Sequence, residues 1–335
     1  MKVVSRYIAK GNDAGPKAKV DIENILKKEY NANIKTYRMK SVNNSIFEKI
    51  KKTLYFLFTC SSKDILVCQH PLINLPWIYR AKYKICIIHD LGYFRTYKNE
   101  LLQKEINTLN NFDVVIVHNK KMYEFLENKG LKSKMIILEF FDYLSEINIK
   151  LKNKKNISEE PIIIYPGNWD KDKATFLYEL NDKKMKFKIN IYGPNKNNNE
   201  ISNKKIKYIG SYPPDEIIDK MDGDIGLVWS GKIDDSDKNI GDKKYNIYNT
   251  PHKLSCFLAA GLPVIVWKDS AIADVVKKYK IGYLIDNIYQ INEIDFSNYA
   301  ELKKNAENIG KRMRNGEFTK KAFLKAVENM KGKNK

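Results

Sequence analysis

Short apolar runs alternate with longer amphipathic stretches along the whole chain, and this alternation limits the fold more than any other feature. The runs typical of β-strands lie at 2–8, 34–38, 64–69, 84–89, 114–118, 135–138, 161–165, 188–192, 206–209, 225–229, 263–267 and 282–285. Helical periodicity falls between them at 17–29, 99–110, 120–129, 215–221 and 252–260. Strands that alternate with helices predict parallel sheets covered by helices, which is the doubly wound α/β class.

The alternation occurs twice, on either side of a polar segment rich in lysine and asparagine at 151–160. A length of 335 residues suits two domains, at about 100–200 residues each. We therefore predict one α/β domain over 1–150, a linker over 151–160 and a second α/β domain over 161–312. The tail at 313–335 is predicted to form an amphipathic helix, because Phe318, Ala322 and Phe323 follow helical spacing.

The net charge is +20, from 60 basic and 40 acidic residues. Such a charge agrees with three kinds of partner: nucleic acid, an anionic membrane surface or an anionic substrate. Only six of the basic residues are arginine, the residue favoured for bidentate contacts with phosphate and guanine, and the lysines are spread along the chain. No nucleic-acid partner is predicted. Mild attraction for an anionic donor or for the inner membrane surface stays open.

Sequence features of a membrane or secreted protein are missing. No window approaches ~18 consecutive apolar residues, and the first residues become charged too soon for a signal peptide. The four cysteines, Cys60, Cys68, Cys86 and Cys256, show no CxxC pair and no metal-ligand spacing. The predicted location is the cytoplasm, without a transmembrane segment, and weak association at the inner membrane surface is the alternative.

Two acidic motifs are candidates for binding a metal, and neither is predicted to do so. Asp222 and Asp224 form an Asp-Gly-Asp sequence, but they directly precede the strand at 225–229, where Asp-Gly is a turn signal. Asp234, Asp235 and Asp237 could offer oxygen ligands to calcium, but the lysines around them favour a solvated loop. No metal and no cofactor is predicted.

The loop after the first strand, at residues 9–17, is rich in small residues. It contains Gly11, Asn12, Asp13, Ala14 and Gly15 just ahead of the helix at 17–29. Small residues let backbone N–H groups approach an anionic or sugar ligand at the start of a helix. An ordinary strand-to-helix turn is the alternative.

The corresponding loop of the second domain follows the strand at 161–165. Gly167 and Asn168 come first, and Lys171 and Lys173 follow. Ligands of open α/β sheets bind beyond the carboxyl ends of the strands, so this loop is expected to face a ligand. Its lysines could neutralise a departing diphosphate without a metal, and a solvated turn is the alternative.

The segment at 249–266 is the most specific part of the sequence. Pro251, His252, Lys253 and Ser255 open the helix at 252–260, and a Gly-Leu-Pro sequence then leads into the strand at 263–267. The start of a helix favours anions, because its backbone N–H groups are unsatisfied and its dipole is positive there. We therefore predict a pyrophosphate site beside His252 and Lys253.

Several motifs in one fixed order indicate a family. They are Ile-His-Asp at 88–90, Pro-Gly-Asn at 166–168, Tyr-Pro-Pro-Asp-Glu at 212–216, Gly-Leu-Val-Trp at 226–229, Pro-His-Lys-Leu at 251–254, Ala-Gly-Leu-Pro-Val-Ile at 260–265 and Phe-Thr at 318–319. Together they resemble GT-B glycosyltransferases. Within that class they resemble the bacterial glucosyltransferase family that extends O-linked GlcNAc on serine-rich-repeat adhesins, whose relatives include β-galactofuranosyltransferases. The resemblance covers nearly the whole chain and is strongest after residue 161.

This resemblance implies a GT-B fold: two Rossmann-like domains that face a cleft, and a C-terminal helix that returns to the first domain. The N-terminal domain would receive the acceptor, and the C-terminal domain would bind a UDP-sugar. The implied reaction is a metal-independent, inverting transfer of a hexose, with glucose favoured, to a GlcNAc-type or other glycan acceptor on a surface glycoprotein. The resemblance also suggests a homo-oligomer, either a dimer or a tetramer.

Two alternatives to this function stay open. The first is galactofuranosyl or other hexosyl transfer in the synthesis of a cell-surface polysaccharide. The second belongs to another class, a non-catalytic GT-B-like partner of another transferase.

The resemblance also assigns roles to residues of the second domain. Lys171 or Lys173, together with Lys253, would contact the UDP diphosphate, and Tyr212 would contact the nucleotide. The remaining donor-binding candidates are Gly167, Asn168, Pro251, His252 and Ser255. Cys256 stands where most GT-B enzymes have a glutamate that binds the ribose, so the ribose-binding residue stays unassigned.

Catalysis by inversion needs a general base that takes the proton of the acceptor hydroxyl, and a carboxylate in reach can serve. Asp90, at the end of the strand at 84–89, is our candidate, and His89 would position the donor or the acceptor. Asp13 is a rival base. A structural role is the alternative, in which His89 only ends the strand and Asp90 caps the next helix.

Overall fold

The computed structural model describes residues 1–6, 15–37, 65–69, 81–146, 157, 159–194, 200–233 and 245–331. All structural statements refer to these ranges. Gly11, Asn12, Asp13 and Ala14 lie outside them, as do most of the predicted linker and the acidic sequence at 234–237.

The chain divides into two compact units. The first contains Met1–Ala9, Lys19–Glu139 and Phe318–Lys335, and the second contains Lys10–Ala18 and Phe140–Glu317. The last helix of the chain therefore belongs to the same unit as the first strand.

Each unit contains one six-stranded parallel sheet. The strands of the first are β1 (Lys2–Arg6), β2 (Asn33–Tyr37), β3 (Ile65–Cys68), β4 (Tyr83–Ile87), β5 (Val114–Val117) and β6 (Lys134–Ile137), in the order β2-β1-β3-β4-β5-β6. Those of the second are β7 (Ile162–Pro166), β8 (Lys188–Tyr192), β9 (Ile206–Gly210), β10 (Ile225–Val228), β11 (Val264–Trp267) and β12 (Gly282–Ile285), in the order β12-β11-β10-β7-β8-β9. These two sheets confirm the predicted pair of Rossmann-like domains.

Most helices fall between the strands, and those predicted at 17–29, 99–110, 120–129, 215–221 and 252–260 are present. The helices are α1 (Gly15–Tyr30), α2 (Gly92–Thr96), α3 (Asn99–Leu109), α4 (Lys120–Asn128), α5 (Phe176–Glu179), α6 (Ile217–Lys220), α7 (His252–Ala259), α8 (Ala273–Tyr279), α9 (Tyr299–Arg314) and α10 (Glu317–Lys331). Short 3₁₀ helices occur at Asp182–Lys184 and Ile288–Glu293. Strands β5, β10 and β11 are buried along their whole length, which is the reason why they appear in the sequence as continuous apolar runs.

The C-terminal helix α10 packs on α1. Phe323 is fully buried, and its ring centroid lies 5.2 Å from that of Tyr30. Beside this contact, Lys320 Nζ lies 2.8 Å from a carboxylate oxygen of Glu29. The predicted return of the C-terminal helix is confirmed by these contacts.

The Asp-Gly-Asp sequence lies at the amino end of β10, where it joins two strands. Asp224 accepts a hydrogen bond from the backbone N–H of Ile162 at 2.8 Å, and its own N–H donates to the Ile162 carbonyl at 2.8 Å. Its carbonyl also accepts from the Tyr299 hydroxyl at 3.0 Å. Asp224 therefore has the structural role that a turn predicts, at the end of the sheet away from the carboxyl edge where ligands bind.

Candidate functional site

The second sheet changes direction between β7 and β10. From β7 the chain continues to β8 on one side, and from β10 it continues to β11 on the other. In open α/β sheets the crevice at such a switch point, beyond the carboxyl ends of the strands, is where ligands bind. Helix α7 starts there, with Pro251 in an extended conformation as its first flanking residue.

The charges around α7 favour an anion at the start of the helix. At its C-terminal end, Lys303 Nζ donates to the Gly261 carbonyl at 2.9 Å, and the Arg314 guanidinium donates to the Ala259 carbonyl. These two cations offset the negative end of the helix dipole. The positive end at His252 and Lys253 is directed to the switch point.

Lys253 and Gly167, both predicted from the sequence, are neighbours in the structure. The ammonium of Lys253 lies 3.9 Å from the centroid of the Tyr165 ring. A Cβ atom on Gly167 would lie 2.9 Å from Cε and 3.2 Å from Nζ of Lys253. The absence of a side chain on Gly167 thus lets the Lys253 cation rest against the backbone that follows β7.

Three glycines, Gly167, Gly193 and Gly210, follow or end β7, β8 and β9, and we call them the glycine edge. Gly193 has a φ of +116°, and a Cβ there would lie 2.4 Å from the Gly167 carbonyl oxygen. The Gly167 N–H donates to Tyr192 at 2.8 Å, and the Gly193 N–H donates to Gly210 at 2.9 Å. The edge is therefore bare backbone, fixed by hydrogen bonds between neighbouring strands.

Tyr212 lies at the outer end of the glycine edge. Its ring packs on Gly210, where a Cβ would lie 3.1 Å from the ring, and its centroid is 6.3 Å from that of Tyr192. A hydrogen bond fixes the turn that follows Tyr212: the Tyr143 hydroxyl donates to the Pro214 carbonyl. Lys17 Nζ reaches the carboxylate of Asp215 at 2.7 Å.

Asn168, Lys171 and Lys173 form the rest of the loop after β7. The Asn168 side-chain oxygen accepts from the Asp170 N–H at 2.8 Å, so this side chain shapes the turn. Lys171 and Lys173 are exposed on the turn, and Lys173 Nζ lies 3.9 Å from a carboxylate oxygen of Asp172. Their contact with a diphosphate stays a prediction.

Three residues at the start of α7, His252, Ser255 and Cys256, differ in burial: His252 is half-buried, whereas Ser255 and Cys256 are buried. The His252 ring stacks on Tyr143 with centroids 5.1 Å apart, and Ser255 is fully buried. Burial lowers the pKa of His252 to about 4, helped by the positive charge of Lys17, so the imidazole is neutral near pH 7. Burial raises the pKa of Cys256 to about 12. The contacts of His252 and Ser255 with a donor stay predictions.

The lowered pKa of His252 predicts a loss of stability in acid. The unfolded state, with an ordinary pKa near 6.5, binds a proton below that pH, whereas the folded state does so only near pH 4. The free energy of unfolding should therefore fall as the pH falls through this range, by about 2 kcal/mol between about pH 7.5 and about pH 5. Urea titrations of the protein and of His252→Phe, which preserves the stacked ring, measure the difference. Equal pH dependence in the two proteins would contradict the assignment.

His89 follows β4 in the first unit and is held by Gln69. The Nε2 atom of His89 lies 2.8 Å from the Gln69 side-chain oxygen. The Gln69 amide nitrogen donates to the Lys19 carbonyl at 3.0 Å and to the Glu23 carboxylate at 3.3 Å. Since both of these partners are acceptors, the Gln69 oxygen must accept, and Nε2 of His89 carries the proton.

Asp90 forms an ion pair with Arg95 rather than capping α2. The start of α2 is capped by Glu105, whose carboxylate accepts from the backbone N–H groups of Gly92 at 2.7 Å and Tyr93 at 3.1 Å. Burial raises the pKa of Glu105. The alternative of Asp90 as a helix cap is therefore wrong, and its catalytic role stays a prediction.

A cavity of about 190 Å³ opens at the carboxyl ends of β10 and β11. Aromatic, polar and charged side chains line it together, including Trp229, Ser230, Tyr245, Asn246, Lys253 and Trp267. Apart from Lys253, and Trp229 as the last residue of the Gly-Leu-Val-Trp motif, the sequence analysis did not select these residues. Trp229 and Trp267 are the last residues of two apolar runs that predict strands. Their position at the carboxyl ends of these strands is the sequence signal that could have identified them as site residues.

No helix formed by the described residues is long and apolar enough to cross a membrane.

Two Rossmann-like sheets, a helix that starts at the switch point of the second sheet and a C-terminal helix packed on α1 define a GT-B glycosyltransferase. The chain belongs to the Glucosyltransferase 3-like family. The family's N-terminal domain matches residues 1–140, and its C-terminal domain matches residues 163–326.

Individual relatives carry two different activities in their names. Beta-1,6-galactofuranosyltransferase WbbI of Escherichia coli K12 is 26% identical over 95% of this chain and 96% of its own length. Glucosyltransferase 3 of Streptococcus parasanguinis is 27% identical over 79% of this chain and 78% of its own length. Among solved structures, Anabaena Alr3699/HepE in complex with UDP has a TM-score of 0.61 at 13% identity, covering 98% of this chain and 100% of the other.

Proposed function

We propose that this protein is a UDP-sugar-dependent, metal-independent, inverting hexosyltransferase, with glucose as the favoured sugar. Its acceptor would be a GlcNAc-type or other glycan on a surface glycoprotein. The observation that carries the proposal is the Lys253 ammonium, seated against Gly167 at the start of α7. The glucosyltransferase relative in Streptococcus parasanguinis and the UDP complex of the Anabaena structure support it.

In the proposed reaction the acceptor hydroxyl oxygen bonds to the anomeric carbon of the donor. The bond from that carbon to the diphosphate oxygen breaks, and UDP leaves with the electron pair. Lys253 and the first N–H groups of α7 stabilise the negative charge that develops on the diphosphate. Lys171 or Lys173 adds a second cation, and Tyr212 contacts the nucleoside.

The proton of the acceptor hydroxyl goes to a general base, for which Asp90 is our candidate, with His89 as a positioning residue. The contact with Arg95 orients the Asp90 carboxylate, and Gln69 fixes the tautomer of His89. The pH dependence of kcat for Asp90→Asn and His89→Gln identifies the base, because only its own substitution removes the limb that rises with pH. A rising limb that survives in Asp90→Asn would exclude Asp90 and leave His89 or Asp13.

Galactofuranosyl transfer in polysaccharide synthesis is the second candidate. It is favoured by the match to the galactofuranosyltransferase WbbI, which extends over 95% of this chain. Homo-oligomer formation and association with the inner membrane surface stay predictions.

A UDP-release assay tests the proposal. The purified protein is incubated with UDP-glucose, UDP-galactofuranose, UDP-galactose or UDP-GlcNAc, with and without a GlcNAc acceptor. Release that depends on the acceptor and is fastest with UDP-glucose is expected, whereas preference for UDP-galactofuranose would support the second candidate. A protein that releases UDP from none of these donors would contradict both and favour a non-catalytic partner.

A further inference from the structure

We propose that Lys17 is a positioning residue for the UDP donor. Its ammonium fixes two parts of the second unit: the turn at 212–215, which we call the Tyr212 turn, and the coil at 141–144, which we call the linking segment. This role rests on the proposed function, because it takes Tyr212 and Lys253 as contacts of the donor. Lys17 itself lies outside the donor motifs of the second domain.

Lys17 is a buried lysine with partners on two distant segments. Its side chain, in the first turn of α1, is only 7% exposed. The Nζ atom donates to the Leu144 carbonyl at 2.9 Å and to a carboxylate oxygen of Asp215 at 2.7 Å. It also lies 4.7 Å from the centroid of the Tyr143 ring. The three N–H groups of an ammonium can serve three such contacts at once, so one cation joins α1 to the linking segment and to the Tyr212 turn.

The linking segment in turn contacts both sides of the proposed donor site. The Tyr143 hydroxyl donates to the Pro214 carbonyl in the Tyr212 turn. The Tyr143 ring stacks on His252, with the ring planes inclined by 22°, and His252 precedes Lys253 at the start of α7. Burial and the charge of Lys17 together lower the pKa of His252, which shows that this charge is felt at the start of the helix. A shift of the linking segment would therefore displace both donor-binding elements.

The surroundings of Lys17 favour positioning over direct contact with the donor. Two acceptors and a ring face already surround its buried ammonium, and little of it is left for a diphosphate. Burial of a cation is also costly, and an apolar side chain of similar volume often stabilises a fold as well or better. A lysine at such a place is expected where the geometry of a binding site must be fixed, since supporting contacts set how precisely ligand-binding groups are held.

Asp215→Ala separates positioning from simple electrostatics, because the two predict effects of opposite sign. The Asp215 side chain is 81% exposed and carries a negative charge next to the turn that would contact an anionic donor. Removal of that charge alone would strengthen UDP binding. Release of the Tyr212 turn from Lys17 would weaken it. We expect titration calorimetry to show UDP bound about threefold more weakly.

Asp219→Ala is the matched control for Asp215→Ala. It removes the same charge from an exposed position on α6, one turn further along the chain. This variant should bind UDP as tightly as the unsubstituted protein or slightly more tightly.

Lys17→Met removes the cation and keeps a long unbranched side chain, so its effect should be larger. We expect the dissociation constant of UDP and KM for UDP-glucose to rise about tenfold, while kcat at saturating donor changes by less than about twofold. Urea denaturation measures the stability of the same protein. Lys27→Met, at an exposed position in the last turn of α1, is the control.

Each other result overturns the inference in a distinguishable way. If Lys17→Met lowers the free energy of unfolding but leaves UDP affinity unchanged, Lys17 has only a structural role. If Asp215→Ala strengthens UDP binding, the carboxylate acts through its charge and does not fix the turn. If Lys17→Met does not fold, the sign of the Asp215→Ala effect decides, because that exposed side chain is outside the core. An unsubstituted protein that binds no UDP would overturn the proposed function itself.

Discussion

Lys253→Ala is expected to lower kcat/KM for hexose transfer by about 100-fold. The ammonium lies at the start of α7 and against the backbone of Gly167, where the charge of a departing diphosphate would develop. A preorganised donor at such a place contributes about 100- to 1,000-fold to a rate. Initial rates of UDP release over a range of donor concentrations measure the effect.

Lys207→Ala is the matched control for Lys253→Ala. It removes the same charge from an exposed position on β9, so it reports any general effect of net charge on an anionic donor. A Lys253→Ala protein with full kcat and unchanged affinity for UDP would disprove the assignment of the diphosphate seat.

Gly193→Ala is expected to reduce the free energy of unfolding by more than about 3 kcal/mol and to weaken UDP binding. The new Cβ would lie 2.4 Å from the Gly167 carbonyl oxygen, so the backbone under the proposed diphosphate must move. The positive φ of +116° adds the cost of a left-handed conformation, about 1–2 kcal/mol. Urea denaturation and UDP titration measure the two effects.

Gly130→Ala separates the two costs. Gly130 also has a positive φ, +88°, but nothing lies within 4 Å of the position of its Cβ. This variant should lose only the conformational part. If Gly193→Ala and Gly130→Ala lower the free energy of unfolding equally, the close approach of the Gly193 and Gly167 backbones does not contribute to the effect.

The strands could be predicted from the sequence because burial on both faces makes them continuous apolar runs. Each predicted strand has a counterpart, and the bounds of β8 and β12 match the prediction. Helix α9 was missed, although Leu302, Ala306, Ile309 and Met313 have helical spacing, because lysine, asparagine and glutamate separate them. Helices α2 and α5, of five and four residues, are too short to show a helical period.

The site could be predicted only in part. Gly167 and Lys253 are identified by motifs at strand and helix ends, where α/β sheets bind ligands. Gly193 and Gly210 owe their importance to close contacts with other backbone or with a ring, which no local pattern encodes. The motif places His252 at the start of a helix but does not predict that its ring packs on Tyr143, more than 100 residues earlier in the chain.

The glycine edge also has a thermodynamic consequence. A surface of backbone that strand hydrogen bonds already fix has no rotamers to lose when a ligand settles on it. The conformational entropy lost on binding then comes chiefly from the long side chain of Lys253 and from the torsions of the ligand. With the backbone preorganised in this way, the affinity for the donor depends on how firmly the Lys253 side chain is positioned. The contact of its ammonium with the Tyr165 ring positions it.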